Sequence, residues 1–300
     1  MIEDYNAIPP EELVARLTRL LTVTELERDL YQGSRLIGGK GRVFGGQVVA
    51  QALASAMRTV DPVRSVHSLH AYFMRGGDED YPIDFRVHRD YDGRSFATRR
   101  VEALQGGVPI LTLTASFQVP EEGCNHQRDA MPQVPHPEDL PSEYAFFMSV
   151  AERLPPESRA LLAHRRAVEL RLVDPVDPTR PVPREPVQHL WFRVVSPLAD
   201  DPDLHRVALA YITDMGLLGT AVLPHAISWL GRTAKSASLD HAVWFHAQDF
   251  RVDDWMLYSM DSPWAGQGRG LNRGQIFDRQ GRLIASAAQE GLIRRARPAS

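Results

Sequence analysis

The stretch "VFGGQVVAQALASAMRTV", residues 43–60, predicts a helix that lies inside the fold. Its larger apolar side chains recur at helical spacing and form one stripe, which comprises Val48, Val49, Ala52, Leu53, Ala56, Met57 and Val60. The opposite face carries mostly small residues in place of the charged ones of a surface helix. We therefore expect other elements to cover this helix on most of its sides.

Four segments with the composition of strands follow this helix. They are "SVHSLHAYFM" (65–74), "YPIDFRVHRD" (81–90), "SFATRRVEAL" (95–104) and "VPILTLTASFQ" (108–118). Pairs of turn-forming residues separate them, namely Gly76-Gly77, Asp92-Gly93 and Gly106-Gly107. Short turns between successive strands predict an antiparallel sheet.

The second half of the chain repeats this plan. A strand-like "QHLWFRVV" (188–195) leads into a helical "DPDLHRVALAYITDMGLL" (201–218). Four strand-like segments follow, "SASLDHAVWFH" (236–246), "WMLYSMDSPWA" (255–265), "GRGLNRGQIFD" (268–278) and "RLIASAAQEGLIR" (282–294). "SLHAYF" is similar to "SLDHAVWF", and "LTLTASFQ" to "LIASAAQ". The repeat predicts an α+β fold in which sheets wrap two helices and pair inside one chain.

Prolines separate the two halves, because 12 of the 22 fall between Pro120 and Pro186. We expect an N-terminal unit at residues 1–118, a Pro-rich connector at residues 119–187 and a C-terminal unit at residues 188–300. Within the connector, the stretch from Tyr144 to Leu170 is predicted to hold one helical segment.

The composition is typical of a soluble globular protein, with 43% hydrophobic residues, 24% charged residues and a net charge of −4. This charge gives no overall attraction to nucleic acids or anionic membranes. The single cysteine, Cys124, excludes internal disulfides and thiolate metal clusters. The acidic start lacks the features of a signal peptide, and no apolar run reaches about 18 residues. We expect a cytoplasmic protein without a membrane span.

The stretch "SASLDHAVWFH" (236–246) suggests two kinds of catalytic centre, and its pattern supports neither. A metal site would need His241 and His246 to converge, but residues five apart on a strand point to opposite faces. A serine hydrolase would need its nucleophile on a tight turn from strand to helix, and Ser238 has no glycine elbow. We interpret Asp240 and His241 as a hydrogen-bonded pair that stabilises a strand or an interface.

Three polar residues lie where the pattern favours apolar ones. Asp214 falls on the apolar seam of the second helix, where an unpaired carboxylate is costly to bury. Gln289 shares one face of the last strand with three apolar residues, and Ser238 stands at the entrance of a neighbouring strand. Together they could position a water molecule, with Asp214 accepting its proton. The alternatives are that Asp214 caps a helix end and that Gln289 braces the backbone.

Five segments of the chain resemble the type II acyl-CoA thioesterases, the family of bacterial thioesterase II and the peroxisomal acyl-CoA thioesterases. They are "VFGGQVVAQAL", "HSLHAYFMRGG", "DGRSFATRRVEALQGG", "ASLDHAVWFH" and "ASAAQEG". The similarity covers most of residues 30–118 and 189–294 in the family's order. It implies a double hotdog fold, in which a curved antiparallel sheet wraps each of two long helices. It also implies hydrolysis of fatty acyl-CoA, expected to be of medium to long chain, without metal or organic cofactor.

The same resemblance assigns catalytic residues. Matched position by position, they are Asp214 on the second helix, Ser238 before the "DH" strand and Gln289 before "EG". The resemblance implies that these groups orient and activate the attacking water. A backbone N–H near a helix N-terminus would stabilise the oxyanion, and we place it at Gly45 or Gly46.

Coenzyme A carries phosphates, which need cations. The candidates are Lys40, Arg42, Arg99, Arg100, Arg269 and Arg273, of which Arg99 and Arg269 are selected as substrate-binding. The acyl tail is expected in an apolar channel between helix and sheet. Because the first helix offers Gln47 and Gln51 but no carboxylate, we expect one working site per chain. Homo-oligomers of double-hotdog chains are also expected.

Two details depart from relatives within the family. Members often carry a polar residue soon after the catalytic Asp, whereas this chain reads "DMGLL" from Asp214, so a partner of the carboxylate is expected to be missing. Some members end in a peroxisomal Ser-Lys-Leu-like tripeptide, whereas this chain ends in Pro-Ala-Ser, which favours the cytoplasm.

Two other functions fit the same fold. A non-catalytic acyl-CoA-binding protein would keep the pocket but would not need the three polar residues. An enoyl-CoA hydratase would use an Asp-His pair, and His225 follows Asp214 closely in the sequence. Pro224 is expected to end the helix before that histidine, which weighs against the hydratase.

Overall fold

In the computed structural model, which describes residues 8–35, 41–156, 158–159, 166–228 and 234–295, the strands form one antiparallel sheet. The N-terminal unit comprises helices α1 (Pro10–Leu21) and α2 (Gly45–Met57) and strands β1 (Val23–Glu27), β2 (Leu30–Gly33), β3 (Ser65–Phe73), β4 (Ile83–Asp92), β5 (Phe96–Gln105) and β6 (Val108–Gln118). Its strands lie in the order β1-β2-β4-β5-β6-β3. They enclose α2, of whose 13 residues 10 are buried.

The connector covers the outside of the second half of the sheet. It contains α3 (Glu143–Val150) and the short 3₁₀ helices Pro137–Asp139 and Ala151–Arg153. The indole N–H of Trp191 donates to the carbonyl oxygen of Pro135 at 3.0 Å. Apolar side chains of the connector pack against Trp191 and its neighbours, and these are Met131, Val134 and Leu140.

The C-terminal unit repeats the arrangement of the first. It comprises β7 (Val168–Leu172), β8 (Val187–Val194), α4 (Pro202–Thr213), a 3₁₀ helix (Leu217–His225), β9 (Ala234–Ser238), β10 (Asp240–Phe245), β11 (Met256–Gly266), β12 (Arg269–Asp278) and β13 (Leu283–Arg295). Its strands lie in the order β10-β13-β12-β11-β8-β7, and β9 also pairs with β13. This order mirrors that of the N-terminal unit, so the predicted α+β double hotdog is confirmed.

The two units join edge to edge through β3 and β10, which pair antiparallel. Helices α2 and α4 contact each other beneath the sheet. They approach closely at Gly46, where a Cβ atom would lie 2.5 Å from the carbonyl oxygen of Tyr211. Only a glycine permits this approach, and it brings the N-terminus of α2 to the end of α4.

The helical segment predicted from Tyr144 to Leu170 is interrupted, and the prediction is wrong at its end. Helix α3 ends at Val150, Pro156, Ser158 and Arg159 are helical again, and residues 168–172 form β7. The rest of the predicted segment, residues 157 and 160–165, lies outside the described residues. Val168 and Leu170 are buried alternate residues of a strand that pairs with β8. The range predicted as a connector, 119–187, therefore contributes a strand to the C-terminal unit.

Two further sequence features take their place in this fold. The segment predicted as one strand at residues 236–246 forms two, β9 and β10, which meet at Leu239. Within the described ranges, Pro202–His225 is the one segment that is long and apolar enough to cross a membrane by length and composition alone. That segment comprises α4 and the 3₁₀ helix, and 61% of its most apolar window is buried, as in a core helix.

Candidate active site

Asp214 is the residue that follows the last turn of α4. Its backbone is still helical, with φ −81° and ψ −10°. Two residues later Gly216 adopts a left-handed φ of 80°, which turns the chain into the 3₁₀ helix. The helix predicted to reach Leu218 therefore ends at Thr213. Asp214 does stand at a helix end, but its carboxylate binds groups from two other elements.

The N-terminus of α2 is the first of these elements. The backbone N–H of Gly46 acts on the Asp214 carboxylate and lowers its pKa. A Cβ atom at Gly45 would lie 2.8 Å from Asp214 Oδ2, so a side chain there would crowd the carboxylate. Free N–H groups and the helix dipole favour a negative charge at a helix N-terminus. Both glycines thus lie at the site.

Strand β13 is the second of these elements, and it carries Gln289, which is fully buried. Its Nε2 donates to Asp214 Oδ1 at 2.6 Å and to Ser238 Oγ at 2.8 Å. Both N–H groups of the amide are therefore used. Its Oε1 is buried with no hydrogen-bond partner in the part of the chain that the structure describes, which leaves one acceptor free at the site.

The pKa of Asp214 is raised by burial from 3.8 to about 6, although the hydrogen bonds from Gln289 and the Gly46 N–H act to lower it. The titratable neighbours Tyr211 and Tyr258 have raised pKa values, first because of burial and also because of the negative charge of Asp214. At pH 7 Asp214 is a carboxylate whose pKa lies close to the ambient pH. This is the condition under which a general base is effective.

Ser238 ends β9 and lies opposite Gly291 of β13. Its Oγ accepts the hydrogen bond from Gln289 and has no contact of this kind with His241. His246 bonds Ser286 instead, at 2.9 Å. The structure thus joins Ser238 to an amide and not to a histidine, so a Ser-His-Asp triad is not formed.

Asp240 and His241 do not form the predicted hydrogen-bonded pair. As neighbours on β10 they point to opposite faces, and each has its own partner. Asp240 Oδ1 accepts from the backbone N–H of Glu290 at 2.6 Å. His241 Nε2 lies 2.9 Å from Thr213 Oγ1 and is fully buried. Within the described residues, no group of three or more His, Cys, Asp or Glu side chains could hold a metal ion.

The structure contradicts the selection of Arg99 as a substrate-binding residue. Its side chain is 1% exposed, and all five of its N–H groups are used inside the protein. Nε donates to Thr59 Oγ1 at 2.8 Å, and Nη1 to the carbonyl oxygens of Tyr91 and Thr98, each at 3.0 Å. Nη2 donates to the carbonyl oxygen of Thr59 at 3.1 Å and to Asp92 at 2.6 Å. No donor remains for a phosphate.

The other basic candidates lie outside this cluster. Arg269 is on β12, on the opposite face from the buried Asn272, and its Nε donates to Glu290 at 2.9 Å. Arg273 pairs with Asp261, and Arg100 pairs with Asp90 and Glu102 on the surface. Arg42 is exposed in the short segment before α2. Lys40 lies outside the described residues.

Two amide side chains that the sequence analysis missed, the buried Asn272 and the half-buried Gln188, hold the chain around Asp214. Asn272 Oδ1 accepts from the backbone N–H of Ala221 in the 3₁₀ helix at 2.9 Å. Its Nδ2 donates to the carbonyl oxygen of Gln289 at 3.3 Å. Gln188 Nε2 donates to the carbonyl oxygen of Gly216 at 2.9 Å. In "GRGLNRGQIFD" the alternate positions around Asn272 are glycine or apolar, so this asparagine carries the same signal as Gln289.

Two models of protein families match the chain. The model of the acyl-CoA thioesterase N-terminal domain matches residues 37–118. The model of the acyl-CoA thioesterase C-terminal domain matches residues 128–293.

Individual proteins of known function and structure are also similar. The chain is 38% identical to acyl-coenzyme A thioesterase 8 of Homo sapiens over 95% of this chain and 91% of that protein. It is 39% identical to acyl-CoA thioesterase 2 of Haemophilus influenzae over 94% of this chain and 98% of that protein. The crystal structure of acyl-CoA thioesterase II TesB2 from Mycobacterium marinum shares 42% identity and superposes with a TM-score of 0.76, covering 94% of this chain and 100% of that one.

Proposed function

The chain belongs to the type II acyl-CoA thioesterase family, and we propose from this premise that Asp214, Gln289 and Ser238 activate the water that hydrolyses its substrate. It is an acyl-CoA thioester hydrolase, which releases a carboxylic acid and coenzyme A. One observation carries the proposal for the site. A single amide nitrogen, Gln289 Nε2, bonds both Asp214 at 2.6 Å and Ser238 at 2.8 Å.

In the proposed mechanism each polar group has a separate contact with the water. The Asp214 carboxylate accepts one of its protons, and the free Oε1 of Gln289 accepts a hydrogen bond from the other. Ser238 Oγ accepts from Gln289, so its own hydroxyl hydrogen is available to donate to the water oxygen. Fixing the water in this way aligns one lone pair with the thioester carbonyl carbon.

The bond changes require no covalent enzyme intermediate. The water oxygen bonds to the carbonyl carbon while Asp214 takes its proton, and the carbonyl oxygen becomes an oxyanion. Collapse of this intermediate breaks the C–S bond and expels the coenzyme A thiolate. The proton then leaves Asp214 for the thiolate or for solvent, and the carboxylate is restored. A thiolate is a good leaving group, so no strong acid is needed to protonate it.

We assign the oxyanion contact to the backbone N–H of Gly45. The N–H of Gly46 acts on the Asp214 carboxylate, whose pKa it lowers, so we leave it to that group. Gly45 is the first residue of α2, and N–H groups at that position have no partner within their own helix. The helix dipole adds to the attraction of this N–H for a developing negative charge.

The remaining expectations are proposals that the fold supports less directly. They are a fatty acyl group of medium to long chain, one working site per chain, contact of the coenzyme A phosphates with the partly exposed Arg269 or with the exposed Arg42, and a cytoplasmic location. We also propose a homo-oligomer, because exposed Tyr72 and Trp244 lie on the same face of the paired strands β3 and β10, where the two units join. Light scattering after size-exclusion chromatography measures the oligomeric state.

The experiment that tests the function is release of free thiol from acyl-CoAs of short, medium and long chain. We expect the wild type to release thiol and Asp214→Ala to lose most of the rate while keeping the wild-type circular dichroism spectrum. Thiol release that Asp214→Ala leaves intact would contradict the assignment of the base. No thiol with any acyl-CoA, despite saturable binding, would favour the non-catalytic acyl-CoA-binding protein.

The enoyl-CoA hydratase alternative is tested in the same reactions by product analysis. A hydratase converts an enoyl-CoA to a 3-hydroxyacyl-CoA and releases no thiol. The structure gives it no support, because His225 is exposed at the last residue of the 3₁₀ helix. We therefore expect enoyl-CoA to yield free thiol and no hydrated thioester.

A further inference from the structure

Thr213, the residue before Asp214, is bonded by side chains from two strands. Its hydroxyl donates to the carbonyl oxygen of Ala210 at 2.9 Å, which is the usual contact within a helix. Since that hydrogen is used, His241 Nε2, at 2.9 Å from the same oxygen, must be the donor. The hydroxyl of Tyr258 donates to the carbonyl oxygen of Thr213 at 2.9 Å. The last turn of α4 is therefore tied to β10 and β11 immediately before Asp214.

Burial of the polar groups of His241 and Tyr258 costs free energy. His241 and Tyr258 are both fully buried. Burial lowers the pKa of His241 to about 4, so its ring is neutral. Its Nδ1 is buried without a hydrogen-bond partner in the described ranges. An unpaired buried acceptor destabilises a fold, and an apolar residue of the same size would avoid that penalty.

The N-terminal unit has no catalytic carboxylate, so its residues at the positions that match His241 and Tyr258 show which side chains the fold accepts there. The units are matched through strand pairing. Arg99 is the fourth residue of β5 and lies opposite Ala115, and Asn272 is the fourth residue of β12 and lies opposite Gln289. Ala115 of the first unit therefore corresponds to Gln289 of the second.

The same match gives the counterparts of the two buried side chains. Leu69 lies opposite Ala115, and continuing the register of β10 with β13 by one step places His241 opposite Gln289. By the equivalent pairing of the next strands, Phe85 corresponds to Tyr258. Leu69 and Phe85 are fully buried as well. The fold thus accepts apolar residues at both positions, and polar ones occur only in the unit that carries Asp214.

We propose that His241 and Tyr258 are positioning residues for the reaction, because through Thr213 they hold the end of α4 so that the Asp214 carboxylate stays on Gln289 and Gly46. The inference rests on the proposed function of Asp214 as the base. The contact from Asp214 to Gln289 is 2.6 Å long, and Asp214 directly follows the anchored residue Thr213. Release of that turn lets the carboxylate move away from the water, and a displacement of about 1 Å lowers a rate by as much as about 100-fold.

The test introduces the residues of the N-terminal unit, His241→Leu and Tyr258→Phe. We expect kcat to fall at least about tenfold in each, while KM for the acyl-CoA changes less than about twofold. The acidic limb of the pH profile should move above the wild-type position of about 6, because hydrogen bonds that lower the pKa of Asp214 are weakened. His241→Gln keeps an N–H donor at a similar reach and should recover most of kcat.

The control variant is His246→Leu, which removes another histidine of the same stretch and its single bond to Ser286. It should leave kcat and the pH profile unchanged. If His241→Leu and Tyr258→Phe lower the unfolding temperature but leave kcat and the acidic limb at wild-type values, the two residues are only structural and the proposal is overturned. Tyr258→Phe removes one oxygen atom and decides the matter by itself if His241→Leu does not fold.

A different result is expected if the proposed role of Asp214 as the base is itself wrong. If Asp214→Asn keeps the wild-type rate of thiol release, Asp214 is not the base, whatever His241→Leu and Tyr258→Phe do. If Asp214→Asn is inactive and His241→Leu and Tyr258→Phe are fully active with an unmoved acidic limb, the proposed function stands and only the positioning role is rejected.

Discussion

The two units of the chain have the same strand order around one long helix each, and they differ in what lies beneath the sheet at the end of that helix. The C-terminal unit places Asn272 and Gln289 opposite each other there, next to Asp214. The N-terminal unit has Arg99 and Ala115 at the matched pair. Duplication of the fold therefore did not duplicate the site.

Arg99 binds the end of the helix in the first unit. Its guanidinium donates to the hydroxyl and the carbonyl oxygen of Thr59, just beyond α2. In the second unit the shorter Asn272 bonds the 3₁₀ helix and the backbone of β12 and β13, and Gln289 bonds Asp214. The matched position thus serves packing in the first unit, and in the second unit it adjoins the candidate site.

The largest loss of activity is expected for Gln289→Ala. This variant gives the C-terminal unit the alanine that the N-terminal unit has at the matched position, Ala115. We expect kcat to fall about 100- to 1,000-fold, because Asp214 and Ser238 lose their shared donor. The pKa of Asp214 should rise further, since the bond from Gln289 lowers it, so the loss should be larger at pH 6 than at pH 8. The measurement is thiol release at saturating acyl-CoA over that pH range.

A matched glutamine supplies the control for this variant. Gln275 lies on the neighbouring strand β12, and its Nε2 donates to Asp129 on the surface at 2.8 Å. Gln275→Ala should keep the wild-type rate. Equal losses in the two variants would mean that the effect of Gln289→Ala comes from disturbing the sheet and not from the site.

The N-terminal unit is tested by Arg99→Met, which should affect stability and not catalysis. Removal of the guanidinium leaves the buried carbonyl oxygen of Thr59 and the part-buried ones of Tyr91 and Thr98 without this donor. We expect the free energy of unfolding to fall by about 2–3 kcal/mol, with kcat/KM for acyl-CoA unchanged. Chemical denaturation and steady-state kinetics measure the two quantities.

The neighbouring arginine is the control for this change. Arg100 is paired with Asp90 and Glu102 on the surface, where ion pairs contribute little. Arg100→Met should change the free energy of unfolding by less than about 0.5 kcal/mol. A rise in KM for acyl-CoA in Arg99→Met without loss of stability would restore Arg99 as a substrate-binding residue.

These contrasts show what could be predicted from the sequence. Asp214 and Gln289 could be selected because each interrupts an apolar face, and the repeated helix and strands predict the double hotdog. The role of Arg99 could not, because its partners at Thr59, Tyr91 and Thr98 come together only when α2 and two strands pack. Ala97, Val101 and Ala103 share the face of β5 on which Arg99 lies, which indicates burial of the arginine but does not identify its partners.

The proximity of Gly46 to Asp214 cannot be predicted from the sequence, for a related reason. It depends on the close approach of α2 to the backbone of Tyr211, and no local pattern encodes the way two distant helices pack. The sequence predicts one strand where the structure has two, β9 and β10, because the break at Leu239 carries neither glycine nor proline. The sequence therefore identifies the unusual residues, and the packing decides their partners.

The pH profile of the wild type measures the ionisation of Asp214, the carboxylate that only the C-terminal unit has. Only the carboxylate accepts a proton from water, so kcat/KM should fall about tenfold per pH unit below a pKa of about 6 and level off above it. The phosphate of coenzyme A also titrates near pH 6, so the substrate should be an acyl-pantetheine thioester, which has no phosphate. A limb that persists in Asp214→Asn with its residual activity would belong to another group.

Stability should respond to the same ionisation in the opposite direction. The raised pKa of Asp214 means that the folded state holds the proton more tightly than the unfolded state between its ordinary 3.8 and about 6. The stabilisation from this group is therefore present at low pH and is lost as pH rises through 6. Because His241, with its lowered pKa, acts with the opposite sign below 6.5, the difference between wild type and Asp214→Asn isolates the contribution of Asp214.

The smallest expected effect on catalysis is that of Ser238→Ala, about tenfold in kcat, because Gln289 keeps its bond to Asp214 when the hydroxyl is lost. Ser238→Thr retains the hydroxyl and should stay near the wild-type rate. The measurement is thiol release, with intact mass recorded during turnover. A loss as large as that of Asp214→Ala, together with an acyl adduct on the wild-type protein, would identify Ser238 as a nucleophile and overturn direct attack by water. Retention of activity in Ser238→Ala without an adduct would instead leave the water to the pair of residues that the N-terminal unit lacks, Asp214 and Gln289.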